Sequence, residues 1–289
     1  MDISIIIPFY HGNDYLATSV GSCIRFADYL RQKGRSEEVE ILLVNDSPEE
    51  GVNLAAFSEK APMLRVITNE KNMGIHATRV RGLRECLGEW VIFLDQDDEL
   101  MTEGMLRQLD LRAGSDVVVG NGLDDRTGKA RNIYKNERVM KYLIQRDRFI
   151  DIRNLIVSPG QCMIRKAAIP ELWINKLMRI SGADDWYLWI LMFEQRAAFA
   201  CNEQTVYYHH THNEENLSYN IRKMKGSVDE TYGVLAASHA LSEKDLEHMR
   251  LAIGFKFYQD THGLTPYRLF EYRRAIFKNI LYRINIALR

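Results

Sequence analysis

Four short apolar runs, rich in β-branched residues, constrain the first half of this chain more than any other feature: "ISIIIP" (3–8), "VEILLVND" (39–46), "LRVITNE" (64–70) and "WVIFLD" (90–95). Short, continuously apolar and closed by polar residues or Pro8, they read as strands buried on both faces. Helical patterns lie between them. Asn13 and Asp14 can cap a helix with Leu16, Val20, Cys23, Ile24, Ala27 and Leu30 at helical spacing, closed by Gly34. A second amphipathic helix covers about 75–87 and stops at Gly88, and "SDVVVG" (115–120) reads as a fifth strand. Such alternation, sustained over roughly 120 residues, predicts an α/β fold with a mostly parallel central sheet and helices on both faces. Ligands of such sheets bind beyond the carboxyl ends of the strands. Polar residues gather there: Tyr10 and His11, Asn45 and Asp46, Asn69, and then Asp95 to Asp98. Their convergence predicts one crevice lined by carboxylates.

"VIFLDQDDEL" (91–100) is the sharpest of these ends. Carboxylates this close repel one another unless protons, cations or hydrogen-bond donors compensate. Two readings stay open on this stretch alone. The acids seat a divalent metal, Mg2+ or Mn2+, with a nucleotide diphosphate supplying further oxygens, or Asp97 to Glu99 cap a helix beginning near Thr102. Neither a GxGxxG nor a GxxxxGK[ST] loop is present, which speaks against dinucleotide oxidoreductases and P-loop enzymes. A diphosphate would then rest on metal and on basic side chains such as Arg79 and Arg81, which otherwise form a solvated helix face.

The second half is less regular. Residues 135–150 read as a charged helix, "QCMIRK" (161–166) as a strand, "DDWYLWILMFEQ" (184–195) as an apolar helix opened by two acids, and "QTVYYHHTH" (204–212) as a strand ending in histidines. From about 226 onward the pattern is helical. Asp184 and Asp185 are either caps or, at a rigid helix start, a general base. The histidines lack the HExxH or cysteine partners of a zinc site.

At 289 residues, with 46% apolar and 27% charged residues, the chain has material for a substantial soluble core. Its net charge of -1 argues against nucleic-acid binding. Cys23, Cys86, Cys162 and Cys201 are dispersed among apolar neighbours, as expected of buried thiols in a reducing compartment. Neither a signal peptide nor a membrane span is visible. The expected location is cytoplasmic.

In order, "SIIIPFYHGNDYL", "LLVNDSP", "NEKNMGIHATRVRGL", "VIFLDQDD", "GADDWYLWI" and "HNEENLS" resemble the family-2 glycosyltransferases of the GT-A fold, from residue 3 to about 218. The resemblance implies a Rossmann-like GT-A domain over 1–220, with a nucleotide-sugar half of about 1–120 and an acceptor half of about 121–220. A helical extension over 221–289 would follow. It further implies inverting hexosyl transfer from a nucleoside-diphosphate sugar, UDP-sugar favoured, with Mn2+ or Mg2+ on the diphosphate. Carried over by position, Pro8 and Tyr10 would line the base pocket, Tyr10 stacking on the base, and Asp46 would accept a hydrogen bond from it. Arg79 would lie near base and diphosphate. Asp95 or Asp97 would face the ribose, and Asp97, Asp98 and His212 the metal. Asp185 would be the base that deprotonates the acceptor hydroxyl, with Asp184 and Trp186 contacting the acceptor. Asp184 stands where the family has Glu, Val80 where an Asn often follows the arginine, and His11 where Asn is common.

Beyond residue 220 the chain ends in "TPYRLFEYRRAIFKNILYRINIALR", whose apolar residues interleave with five Arg and Lys before the final arginine. Such a basic amphipathic helix suits either peripheral contact with the inner face of the plasma membrane or packing on the catalytic domain or a homodimer partner. Membrane contact would suit a lipid-linked acceptor in bacterial surface polysaccharide assembly. A non-catalytic nucleotide-sugar-binding or scaffold protein would retain the same fold, and a nucleotidyltransferase would want a glycine- and lysine-rich phosphate loop that "PFYHGND" lacks.

Overall fold

The computed structural model describes residues 1–125, 128–210, 221–261 and 265–288. Its contacts divide the chain into two compact units, each assembled from separated stretches. One carries the sheet and comprises Met1–Glu137, Val157–Ile169 and the segment from Ala197 through the last strand; the other is helical and comprises Arg138–Ile156, Pro170–Arg196 and the C-terminal helices.

The sheet unit contains β1 (Ile3–Phe9), β2 (Val39–Asn45), β3 (Leu64–Thr68), β4 (Trp90–Phe93), β5 (Glu99–Leu100), β6 (Val117–Asp124), β7 (Arg131–Asn132), β8 (Cys162–Arg165) and β9 (Phe199–His209). Among the described residues these form one sheet in the order β3-β2-β1-β4-β8-β6-β9-β5, with β7 on β6. The four apolar runs form its parallel part, β1 lying between β2 and β4. Beyond β4 the sheet is mixed: β8 enters antiparallel to both β4 and β6, while β9 runs parallel to β6. Apolar composition marks a strand as buried and says nothing of its direction, so this reversal has no sequence signal.

Three helices flank the strands: α1 (Leu16–Gln32), α2 (Ile75–Glu85) and α3 (Thr102–Asp110). On one face of β1, Ile3, Ile5, Ile7 and Phe9 join Val20, Cys23, Phe26, Ala27 and Leu30 of α1 in a buried core. On the other face Ile6 and Val44 meet α2 so closely that a Cβ on Gly82 would lie 2.4 Å from Ile6 Cγ2. Helices therefore cover both faces. Each fully buried isoleucine of β1 contributes about 1.5–3 kcal/mol, which makes β1 the mechanical centre of the unit.

α1 ends as the sequence predicts: Gly34 N donates to Arg31 O and Arg35 N to Leu30 O, both at 3.0 Å, a Schellman closure. Its start differs. A 3-10 turn over Asn13–Tyr15 leads into α1, and neither Asn13 nor Asp14 supplies a side-chain cap. Asn13 has closer partners in the loop after β2: it donates to Glu50 Oε1 at 2.5 Å and Gly51 O at 3.0 Å, and accepts from Asn53 N at 2.8 Å. The second helix stops at Glu85 because Cys86 is already extended.

The remaining helices are α4 (Glu137–Leu143), α5 (Arg146–Asp151), α6 (Glu171–Asn175), α7 (Asp184–Glu194), α8 (Ile221–Ala237), α9 (Glu243–Thr261), α10 (Pro266–Glu271) and α11 (Arg273–Leu288). The single charged helix expected over 135–150 is two, broken at Ile144 and Gln145, the latter with extended backbone. In the helical unit α7 is buried from Asp184 to Met192, as its apolar sequence requires. Arg146 fastens the unit across long sequence distances, donating to Glu194 Oε1 at 2.6 Å and to Asp245 Oδ2 at 2.7 Å.

Candidate active site

The polar residues after β1, β2, β3 and β4 are tied to one another at the carboxyl edge of the sheet. Asp46 N donates to Phe9 O and Asn69 N to Asn45 O, both at 2.8 Å, extending the ladder past the strands. The buried Asp46 carboxylate accepts from Asn69 Nδ2 at 2.8 Å, Met73 N at 2.7 Å and Gly74 N at 2.9 Å, and so fixes the turn that opens α2. Gly74 has φ +84°, a backbone that a side chain would strain. Pro8 is buried in β1 opposite Val44, whereas Tyr10 is 49% exposed just beyond. The Gln96 amide clips the Tyr10 backbone from both sides, accepting from its N at 2.8 Å and donating to its O at 3.0 Å. His11, at φ 48°, bonds through its backbone N to Ser47 Oγ and through its ring to Glu50.

The four acids after β4 have four different surroundings. Asp95 receives Arg79 Nη2 at 2.5 Å and the Ser158 hydroxyl at 3.3 Å. Glu99 leaves the cluster for Arg25 Nη2 at 2.6 Å. Asp98 is fully buried and accepts from the Tyr207 hydroxyl, from His209 Nδ1 at 3.0 Å and from His210 N at 3.1 Å. Asp97 is part-exposed, and the donor beside its carboxylate is its own backbone N–H. None of them caps α3, whose N-cap is Met101 without a side-chain bond, so the capping reading of this stretch falls.

Electrostatics follow from that arrangement. Burial, then the charges of Asp98 and Asp95, push Asp97 up to about 7. Burial raises Asp98 to about 6 against the pull of His209. Burial disfavours a charged His209, but its bond to Asp98 and the charges of Asp98, Asp95 and Asp124 overcome this and lift it to about 9. At neutral pH the proton of this pair therefore sits on His209, and Asp98 is anionic with its charge answered. Asp97 is the acid whose neighbours repel it. An oxygen donor crowded by like charge and open to solvent fits Mg2+ or Mn2+. It fits them in company with phosphate oxygens, because among the described residues no three acidic, histidine or cysteine side chains converge into a cage.

The helical unit holds the second pair of acids. Gly182, at φ +138° with Met224 Sδ only 2.7 Å from where a Cβ would sit, turns the chain into α7. Asp185, 9% exposed in the first turn, accepts from Trp186 N and from Asn154 Nδ2, each at 2.7 Å. Asp184 is buried, its carbonyl receiving Trp173 Nε1 at 2.9 Å. Trp186 is buried and donates its Nε1 to Phe149 O at 3.1 Å.

Pro8, Tyr10, Asp46, Arg79, Asp95, Asp97 and Asp98 thus share the sheet unit, and Asp184, Asp185 and Trp186 the helical one. His212 lies outside the described residues. Gln96, Asn154, Ser158, Tyr207 and His209 escaped sequence reading. Three of them had a signal: Ser158 forms a capping box with Gln161, and Tyr207 and His209 alternate on one strand face.

Comparison with known proteins bears on the family and the fold. Over 121 residues the chain is 34% identical to an undecaprenyl-phosphate 4-deoxy-4-formamido-L-arabinose transferase of Pseudomonas fluorescens, covering 40% of this chain and 34% of that protein. The chain spans less than half the length of the first curated relatives it matches. Among solved structures, the Staphylococcus aureus TarS fragment 1–349 in complex with UDP-GlcNAc superposes with TM-score 0.61 at 19% identity, covering 95% of this chain and 79% of that one. The mannosyltransferase PcManGT of Pyrobaculum calidifontis, in complex with GDP-Man and Mn2+, gives TM-score 0.58 at 13% identity, covering 95% and 72%. These likenesses show the fold, GT-A with a helical C-terminal region. The model of glycosyl transferase family 2 matches residues 4–173, more than half of the sequence, and the chain belongs to that family.

Proposed function

We propose that this chain is an inverting glycosyltransferase that moves a sugar from a UDP-sugar to a hydroxyl on a glycan or a lipid-linked saccharide. The observation that carries the reading is Asp97, a part-exposed carboxylate raised by burial and then by the charges of Asp98 and Asp95, at a sheet edge that also presents exposed Tyr10 and the Arg79–Asp95 pair. The UDP-GlcNAc held by TarS and the lipid carrier named for the Pseudomonas relative support a UDP-sugar donor and a lipid-linked acceptor.

In this reading Pro8 walls the base pocket and Tyr10 stacks on the base, its loop held by Gln96. Asp46 accepts from the base with a lone pair left over after its three loop bonds. Arg79 orients Asp95 towards the ribose. Bound Mg2+ or Mn2+ supplies charge neutralisation at the departing diphosphate, and Asp97 would hold it, with Asp98 and His212 as the other expected ligands. Asp185 takes the proton of the acceptor hydroxyl, and the freed oxygen attacks the anomeric carbon as the bond to the diphosphate breaks on the opposite face. Donors from Trp186 N and Asn154 Nδ2 fix the orientation of the Asp185 carboxylate at the start of a helix. Asp184 and Trp186 would shape the acceptor side.

Nucleotide release from a panel of UDP-, GDP- and dTDP-sugars, with Mn2+ or EDTA, tests the reading. Slow, metal-dependent hydrolysis of one UDP-sugar that disappears in Asp97→Asn is the expected result. No turnover and no binding of any nucleotide sugar under any metal condition would overturn it.

A further inference from the structure

α11 has two faces of opposite character. Inward, Tyr272, at its edge, and Ala275 are buried with Phe255 of α9, with Ile276 against them. Lys278 Nζ pairs with Asp151 Oδ2 at 2.8 Å, and Arg274 Nη2 lies 3.1 Å from His248 Nδ1. This face locks the helix to its unit and fixes which side looks out. Outward, Phe277, Ile280, Leu281, Ile284 and Leu288 recur every three or four residues, between 38% (Leu281) and 81% (Leu288) exposed. Phe270 of α10 is 69% exposed, and the Arg273 guanidinium sits 4.4 Å over its ring.

Charge says what covers this stripe. Residues 265–289 carry Arg268, Arg273, Arg274, Lys278, Arg283 and Arg289 against one acid, Glu271, in a chain whose net charge is -1. A second copy seated on the same face would bring Arg273 and Arg283, both exposed, against their own kind. An anionic lipid surface answers both features, taking apolar side chains at the acyl boundary and cations at the phosphates. Among the described residues no helix is long and apolar enough to cross a membrane. We infer that α10 and α11 lie flat on an anionic membrane surface, with the Phe277–Leu288 stripe inserted and Arg273 and Arg283 at lipid phosphates. The inference stands apart from the sugar-transfer reading.

Co-sedimentation of the full chain with vesicles of phosphatidylcholine alone, or mixed with phosphatidylglycerol, tests it at low and high salt. Binding to the mixed vesicles that weakens with salt is expected. The triple variant Phe277→Ser, Ile280→Ser, Ile284→Ser should lose about tenfold or more of that binding. Arg273→Gln with Arg283→Gln should lose about fivefold per charge and the preference for anionic lipid. All these positions are exposed, and an unchanged thermal melt confirms that each variant folds. Absence of binding to mixed vesicles at low salt, or wild-type binding by the triple variant, overturns the inference. So does a dimer in sedimentation velocity that the triple variant dissociates while vesicles bind neither protein. No donor sugar is present in the assay, so its failure leaves the transferase reading untouched.

Discussion

Asp98 and Asp185 are both buried carboxylates at the end of a secondary-structure element, and their surroundings treat the negative charge differently. Asp98 sits in a crowd of acids and is answered by a tyrosine, a backbone N–H and a protonated histidine. Asp97 beside it is raised by burial and by the charges of Asp98 and Asp95, which outweigh its own backbone N–H and His209. Asp185 stands at the start of a buried helix, with an amide on each oxygen. The first arrangement crowds carboxylates together, whereas the second gives a single carboxylate two amide donors. In the proposed reading, a cation seat and a mount for a proton acceptor differ in what their neighbours already supply.

The largest effects should separate the two. Asp185→Asn is expected to lower acceptor transfer by about 10²–10⁴-fold while UDP-sugar affinity stays at the wild-type value in calorimetry. Asp97→Asn should do the reverse, weakening metal-dependent donor binding by about 10–100-fold, an effect that EDTA reproduces in the wild type. If both variants lose donor binding alike, the division of labour is wrong. Asn154→Ala should then sharpen it: kcat falls about tenfold with donor KM unchanged, and nothing further is lost when Asp185→Asn is already present.

The smallest effect concerns the mount itself. Arg146→Leu should cost about 2 kcal/mol in urea unfolding, because Glu194 and Asp245 lose a shared partner. The hydrogen bond from Arg146 holds Asp245 below the ordinary carboxylate range. Its contribution is therefore complete above the unfolded-state value, about 3.9, and fades as pH falls through the lower folded one. The stability gap between wild type and Arg146→Leu should accordingly narrow below about pH 4; a gap constant down to pH 2 would show that Arg146 acts by packing alone.

The parallel half of the sheet was legible because β1, β2 and β4, buried along their length, are spelled mostly in apolar residues. β3, read from the sequence as buried too, is an edge strand only partly covered, with Val66 41% exposed, because among the described residues no further strand pairs with its outer side. β5 and β7, two residues each, carry no such spelling, and nothing local in "QCMIRK" tells that β8 runs against its neighbours. The acids after β4 announced themselves, but their division into Arg79-bound, part-exposed and histidine-paired carboxylates depends on partners up to 112 positions away. The histidine choice illustrates the same limit. His212 came from a matched block, while the strand register places His209 beside Asp98. Asn154 was invisible because a single amide in a loop has no pattern until the helix it serves is beside it.

Arg146 also sets an order of assembly. Its two partners, Glu194 and Asp245, are made 48 and 99 positions after it. At roughly 5–20 residues per second on the ribosome, about 50 residues separate the two partners by some 3–10 s. During that interval α7 exists but lacks the clamp that α9 brings, and its largely apolar surface has to be kept from wrong company. A nascent chain paused between those two points would be the form most in need of a chaperone.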